Sequence, residues 1–316
     1  MPEDRSGAKT IRNGAVEVVV PRLGPVGLYE ALERVRLVVP RGWRRMPLRG
    51  RIAISWIVAL AIMAIVSPYV APYKADRIAA GPLDAAPSLA HLFGTDLYGR
   101  DIFSRVMVGS RISMIVVAVG PLTPALIGSA IGIGATFYSK IDEVLMRIVD
   151  VQFAFPAIVL ALTLSFLMGP SLTTTLFVMI LIYTPIMARF VRATARSEYA
   201  EDYSRVAQAS GASNRYILRR HLTRNLLSPM LVFYSLVAAD AVMLEAALSF
   251  LGAGIQPPTP SWGNLLQDGS QVMLSGNWWL TLFPGLAIFS LVLALNTFSE
   301  AVADRLGRSE FVLGEQ

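Results

Sequence analysis

The sequence has no cysteine and only two histidines, His91 and His221, among its 316 residues. The first absence removes any disulfide framework and any thiolate metal site, and the second removes a histidine cluster. Charge is scarce as well: 16% of residues are Asp, Glu, Lys or Arg against 54% hydrophobic, and mean hydropathy is +0.54. A soluble globule of this length needs more polar surface. Nucleotide chemistry has no cradle, because GxxxxGK[ST] is missing and no Gly-Lys pair occurs. GxGxxG loses its last glycine after Gly132-Ile-Gly134 and after Gly252-Ala-Gly254, and HExxH is impossible with histidines so far apart. No Ser, His and Asp recur in a lipase-like setting. These absences predict a chain that is not an enzyme, with no catalytic, cofactor or metal site, and with no ATP hydrolysis of its own. The polar opening MPEDRSGAKT is unlike a cleavable signal peptide, which predicts a cytoplasmic N-terminus.

What is present is a series of apolar runs. A span needs about 20 such residues, and six segments qualify: 52–70, 113–137, 148–168, 173–190, 226–251 and 279–303. Met168-Gly169-Pro170-Ser171 reads as a tight hairpin between the third and fourth. Arginine sets the orientation. Arg36 to Arg51 precede the first span without an acid, and Arg189 to Arg224 separate the fourth from the fifth, so both regions are expected in the cytoplasm. The loop 252–278 has no Lys or Arg and is expected outside, while the basic residues of 71–112, Arg105 and Arg111 among them, weaken the rule there. Gly128 and Gly132 are spaced as GxxxG, which suits close helix packing, and prolines such as Pro185 free carbonyls that a neighbour must satisfy.

One segment between spans is polar: SRVAQASGASNRYILRRHLTRN, Ser204 to Asn225. It reads as a helix, a turn at Gly211 with positive φ, and a second helix capped by Ser213. Its basic charge fits a DNA-reading helix-turn-helix, but short tethers to two spans keep it from a major groove, so no nucleic-acid partner is expected.

This hairpin resembles the cytoplasmic EAA loop of bacterial ABC-importer permeases. Three further stretches resemble the second permease subunit of the dipeptide/oligopeptide/nickel branch: HLFGTDLYGRDIFSRVMVGSRISM at 91–114, MRIVDVQFAFP at 146–156, and EAALSFLGAGIQPPTPSWGNLLQDG at 245–269. The resemblance implies an all-α polytopic type I permease fold of six transmembrane helices in the cytoplasmic (inner) membrane, both termini inside. The chain is expected to divide into a cytoplasmic tail at 1–45, which the resemblance does not reach, the first span and outer loop at 46–112, a core at 113–308 with the coupling loop at 198–225, and a tail at 309–316. Partners would be a homologous permease subunit, two ATP-binding cassette ATPases that hold the ATP and magnesium, an extracytoplasmic peptide-binding protein, and the bilayer. The hairpin would be the coupling helix on an ATPase, at Ala207, Ala209, Gly211, Ala212, Ser213, Arg219 and Asn225. Arg205, Val206 and Arg224 depart from the family pattern, which puts a specific salt bridge there in doubt. The implied cargo is di- or oligopeptides, with nickel chelates or glutathione as alternatives; a secondary transporter and a membrane-tethered regulator are the readings outside the class.

The outer docking surface is expected at Gly94, Thr95, Asp96, Gly99, Arg100 and Asp101, and at Pro257, Pro258, Ser261, Trp262 and Gly263, with bracing of an outer loop as the alternative for the prolines. Asp240 and Glu245 lie in the fifth span, where a lipid-facing carboxylate costs about 2.5–3.5 kcal/mol. They are candidates for the pathway, Glu245 also for a structural role and Asp240 also for pairing with another subunit. Residues 24–39 read either as an interfacial helix or as a loose tail.

Overall fold

The structure, a computed structural model, describes the backbone of residues 9–13, 16–20 and 46–313. It describes the side chains of 46–305 except 139–141, 145, 153, 215, 219, 221 and 224. The readings of residues 24–39 and of the extreme C-terminus fall outside these. The chain divides into two units, Met1–Met46 and Pro47–Gln316. In the first, Lys9–Asn13 pairs antiparallel with Val16–Val20, Lys9 opposite Val20. The sequence reading contained no strand; the signal was Asn13-Gly14 beside the β-branched Ile11, Val16, Val18, Val19 and Val20.

The regular elements of the second unit are helices, joined by loops of which 71–101 is the longest described. In order it comprises α1 (Leu48–Val70), α2 (Ile102–Val119), α3 (Leu122–Phe137), α4 (Ser139–Phe153), α5 (Ala157–Met168) and α6 (Leu172–Ala200). The short α7 (Asp202–Ala209) and α8 (Asn214–Ile217) follow, then α9 (Thr223–Phe250), α10 (Trp262–Val272) and α11 (Trp279–Leu313). Five stretches are long and apolar enough to cross a membrane: Leu48–Val70, Ile102–Phe137, Leu172–Ala200, Asn225–Phe250 and Trp279–Arg305. A bent pair of helices makes a sixth if it counts as one span.

Two expected spans are redrawn. The second begins at Ile102 rather than 113, because Asp101 caps α2 by accepting from the Ser104 N–H at 2.8 Å. Arg105 and Arg111 therefore lie on a helix and not in a loop. The expected span 148–168 is broken: its halves meet at 81°, and Pro156 at the break cannot continue the helical ladder. At 12 residues α5 is about 18 Å long, too short to cross alone. Gly169, at φ +87°, then turns the chain into α6, whose first N–H groups Ser171 caps.

α6 is the axis of the unit. Val178, Met179, Ile182 and Tyr183 are buried in a core shared with Val116, Val242, Leu248, Trp262 and Leu291. Against α6 packs α3, and the GxxxG pair allows the approach. A Cβ on Gly128 would lie 2.5 Å from Met187 Cβ, and one on Gly132 would lie 2.6 Å from the Ala188 carbonyl oxygen. Pro185 leaves the Leu181 carbonyl without its helical donor, and Gln152 of α4 donates its side-chain N–H there.

Candidate functional site

The polar hairpin is built on the end of α6. α7 finishes in a Schellman turn: the Ala212 N–H donates to the Ala207 carbonyl at 3.0 Å and the Gly211 N–H to the Gln208 carbonyl at 2.9 Å. Gly211 has φ +82°, as the motif requires, and a Cβ there would meet open space. Ser213 Oγ accepts from the Tyr216 N–H at 3.3 Å and starts the second helix. That helix does not stop before the span. It passes through a π-helical turn, Leu218–Leu222, directly into α9, so the hairpin's second arm and the span are one continuous rod.

A small core fixes the hairpin's angle. Ala195 of α6 and Ile217, Leu222 and Leu226 are buried together, with Tyr199, Ala207 and Ala212 packed around them. Three polar groups lock the same joint. Tyr203 donates to Glu198 Oε2 at 2.5 Å, and Asn225 Nδ2 donates to that oxygen at 3.0 Å and to the Tyr203 hydroxyl at 3.1 Å. Burial and the Glu198 bond both push the Tyr203 phenol above its usual range. Of the coupling positions, Ala207 and Ala212 thus face inward, Asn225 is a brace, and Ala209, Gly211 and Ser213 are exposed. The side chain of Arg219 is outside the description. Val206 and Tyr216 are 65% and 53% accessible on this otherwise polar element.

Above the hairpin, α4 is strapped to α6. Asp142 accepts from Arg192 at 2.7 Å and from Arg196 at 2.6 Å, and Asp150 pairs with Arg189. With the Gln152 contact, α4 is held at three levels along the helix that leads into the hairpin.

At the far end of α9 the recognised motifs fold inward. Gly94, Thr95, Asp96, Gly99, Arg100, Asp101, Ser261, Trp262 and Gly263 are all buried, while Pro257 and Pro258 are exposed. Asp96 accepts from the N–H groups of Tyr98 and Arg100, each at 2.9 Å, and from Arg100 Nε at 2.6 Å. Arg100 reaches Asp268 of α10 at 3.3 Å. Arg105 is wholly buried between Asp96 and Asp268, 3.7 Å from each. Burial lifts the Asp268 carboxyl above the ordinary range against the pull of Arg105 and Arg100. Asp101 Oδ1 bonds His91 Nδ1 at 2.9 Å, and Thr95 Oγ1 donates to the Pro82 carbonyl at 2.6 Å. Ser261 and Asn264 form a capping box on α10, and Trp262 Nε1 donates to the Val106 carbonyl at 2.9 Å. A Cβ on Gly263 would lie 2.6 Å from the Ala246 carbonyl oxygen. These side chains stitch the 91–101 loop, α2, α9 and α10 together. Arg105 and Asp268 were not singled out from sequence, since no spacing announces a charge paired across a fold.

The two span acids separate. Glu245 is buried and accepts from Ser249 Oγ at 2.8 Å, beside the turn that leads to α10. Asp240 is exposed on this chain and accepts from the buried Tyr183 hydroxyl at 2.9 Å.

Residues 100–310 match the family described as binding-protein-dependent transport system inner membrane component. The chain belongs to that family. Among curated relatives, a Brucella suis biovar 1 (strain 1330) protein named as a candidate peptide transport system permease is 38% identical over 272 residues, 86% of this chain and 91% of that one. The dipeptide transport system permease protein of Alkalihalophilus pseudofirmus is 36% identical, covering 83% and 85%. The glutathione transport system permease protein of Escherichia coli O6:K15:H31 is 35% identical, covering 87% and 91%. A solved structure of the MetNI methionine ABC transporter overlays with a TM-score of 0.47 at 17% identity, over 63% of this chain and 96% of that one. The chain is therefore a multi-pass permease subunit of a transport system.

Proposed function

We propose that this subunit forms half of a peptide-conducting path in an ATP-driven importer of the cytoplasmic membrane. The α7–α8 hairpin docks on an ATPase subunit that binds ATP and magnesium. A homologous permease completes the path, a second ATPase serves that permease, and an extracytoplasmic binding protein delivers the peptide. Both termini and the hairpin face the cytoplasm in this reading, and α10 faces outward. The observation that carries it is the hairpin itself, a rigid exposed element continuous with α9 and locked to the end of α6 by Glu198, Tyr203 and Asn225. Movement imposed on such an element is transmitted to both spans without slack. Peptide cargo is supported by the names of the relatives, and the glutathione permease among them marks the alternative. The experiment is reconstitution: this chain with its partner permease, both ATPases and the binding protein should import a radiolabelled dipeptide only with ATP and only with the binding protein. Import without either component would contradict the reading, as would ATP hydrolysis by the purified chain alone.

A further inference from the structure

On α9, Leu236, Asp240, Met243 and Phe250 are exposed, whereas Ala238, Ala239, Ala241 and Val242 between them are buried. Asp240 is thus a lone acid on an apolar stripe. It lies ten residues before the end of the span Asn225–Phe250, roughly 15 Å from that end, near the middle of a bilayer's hydrocarbon. A carboxylate at that depth faces water or protein, not lipid. Glu245 does not share this exposure, being buried.

Tyr183 supplies the second observation. Projecting from α6, it is 2% accessible and donates its hydroxyl to Asp240 Oδ2 at 2.9 Å. A buried phenol thereby holds one carboxylate oxygen and fixes the side chain. Among the described residues Asp240 accepts no other hydrogen bond and joins no ion pair. The carboxylate is positioned, with acceptor capacity left over on an open face.

We propose that Asp240, positioned by Tyr183, is a cation-recognising point on the translocation path that attracts the α-ammonium group of a passing peptide. The proposal rests on the peptide-importer reading and sharpens it to peptides with a free amino end. The ammonium is the positive group that every linear peptide with an unblocked N-terminus carries, whatever its side chains. A flanking surface of Leu236 and Met243 tolerates side chains of varied shape. Both α6 and α9 lead straight to the hairpin, so the site is formed by the two helices that ATP-driven movement would displace.

The test uses the complete importer in proteoliposomes. One peptide is supplied in free-amine and N-acetylated forms, each at a concentration that saturates the binding protein, so that capture is the same for every variant. Asp240→Asn should slow import of the free-amine form about tenfold and leave the N-acetylated form unchanged. Asp240→Glu should restore most of the loss, and Tyr183→Phe should cause a smaller loss with the same selectivity. All variants should co-purify the other subunits at wild-type levels. Equal losses for both peptides, no loss for either, or loss of the partner permease from Asp240→Asn would overturn the proposal, the last outcome assigning Asp240 to an intersubunit pair. A wild-type importer that moves neither peptide would overturn the peptide reading itself, and this inference with it.

Discussion

At the α10 end of the bundle, Asp96, Arg100 and Arg105 are buried and ion-paired with one another and with Asp268, whereas the hairpin at the opposite end leaves Arg205, Gln208 and Arg220 in the open beside Val206 and Tyr216. Both stretches carry long recognisable motifs, and the reasons differ. Around Asp96 the residue types are dictated from inside the chain: Gly99 because a Cβ would lie 2.5 Å from the Gly81 carbonyl oxygen, and Trp262 because its N–H must reach Val106. On the hairpin only the joint is dictated that way, by Ala207, Gly211, Ala212 and Asn225. The exposed residues of the two hairpin helices lie outside that joint, as they would on a face that meets a separate protein.

This contrast predicts where substitutions hurt and how. The largest effect is expected from Asp96→Ala, which strands Arg100 and Arg105 in the interior and should cost about 3–5 kcal/mol. It would show as a collapse in membrane abundance and a lowered unfolding midpoint in detergent. The comparison residue is Asp202, exposed on α7, where Asp202→Ala should shift that midpoint hardly at all. Equal shifts for the two would erase the distinction between the ends.

Next comes Gly211. Because its Cβ would meet open space, strain from φ +82° is the whole penalty, about 1 kcal/mol for an ordinary side chain and more for a β-branched one. Gly211→Val should therefore insert and accumulate normally but lose stimulation of ATP hydrolysis by loaded binding protein, whereas Gly211→Asn, which tolerates this conformation, should keep most of it. Identical behaviour of the two variants would show that backbone conformation at the turn is not what matters.

The smallest effect is expected at the strap between α4 and α6. Asp142→Arg should loosen α4 by about 1 kcal/mol, seen as faster proteolysis between residues 139 and 156, and the added change Arg192→Glu should recover part of the protection. Absence of any recovery would mean that the pair does not hold α4.

Much of this was legible beforehand, for physical reasons that also mark the limits. Apolar length announces a span, so Leu48–Val70 and Trp279–Arg305 could be read from hydropathy alone. The Schellman glycine, the Ser213 cap and the GxxxG approach follow from local backbone rules. What stayed hidden depends on groups far apart in sequence. Arg100 and Arg105 meet Asp268 only in the folded chain, and so do the acids of α4 and three arginines of α6. The motif residues around Asp96 and Trp262 drew attention as a possible docking surface, because sequence alone does not separate a residue fixed by a partner from one fixed by its own interior.

The docking claim has one direct test, which the cysteine-free sequence makes clean. In Val206→Cys the single thiol sits on the exposed face of α7 and should react with a maleimide in the permease pair alone, then become protected when the ATPase subunits are added. A control thiol at Thr259→Cys, exposed near α10, should react equally in both states. If Val206→Cys reacts at the same rate with the ATPases bound as without them, the hairpin is not their docking element and the account is contradicted.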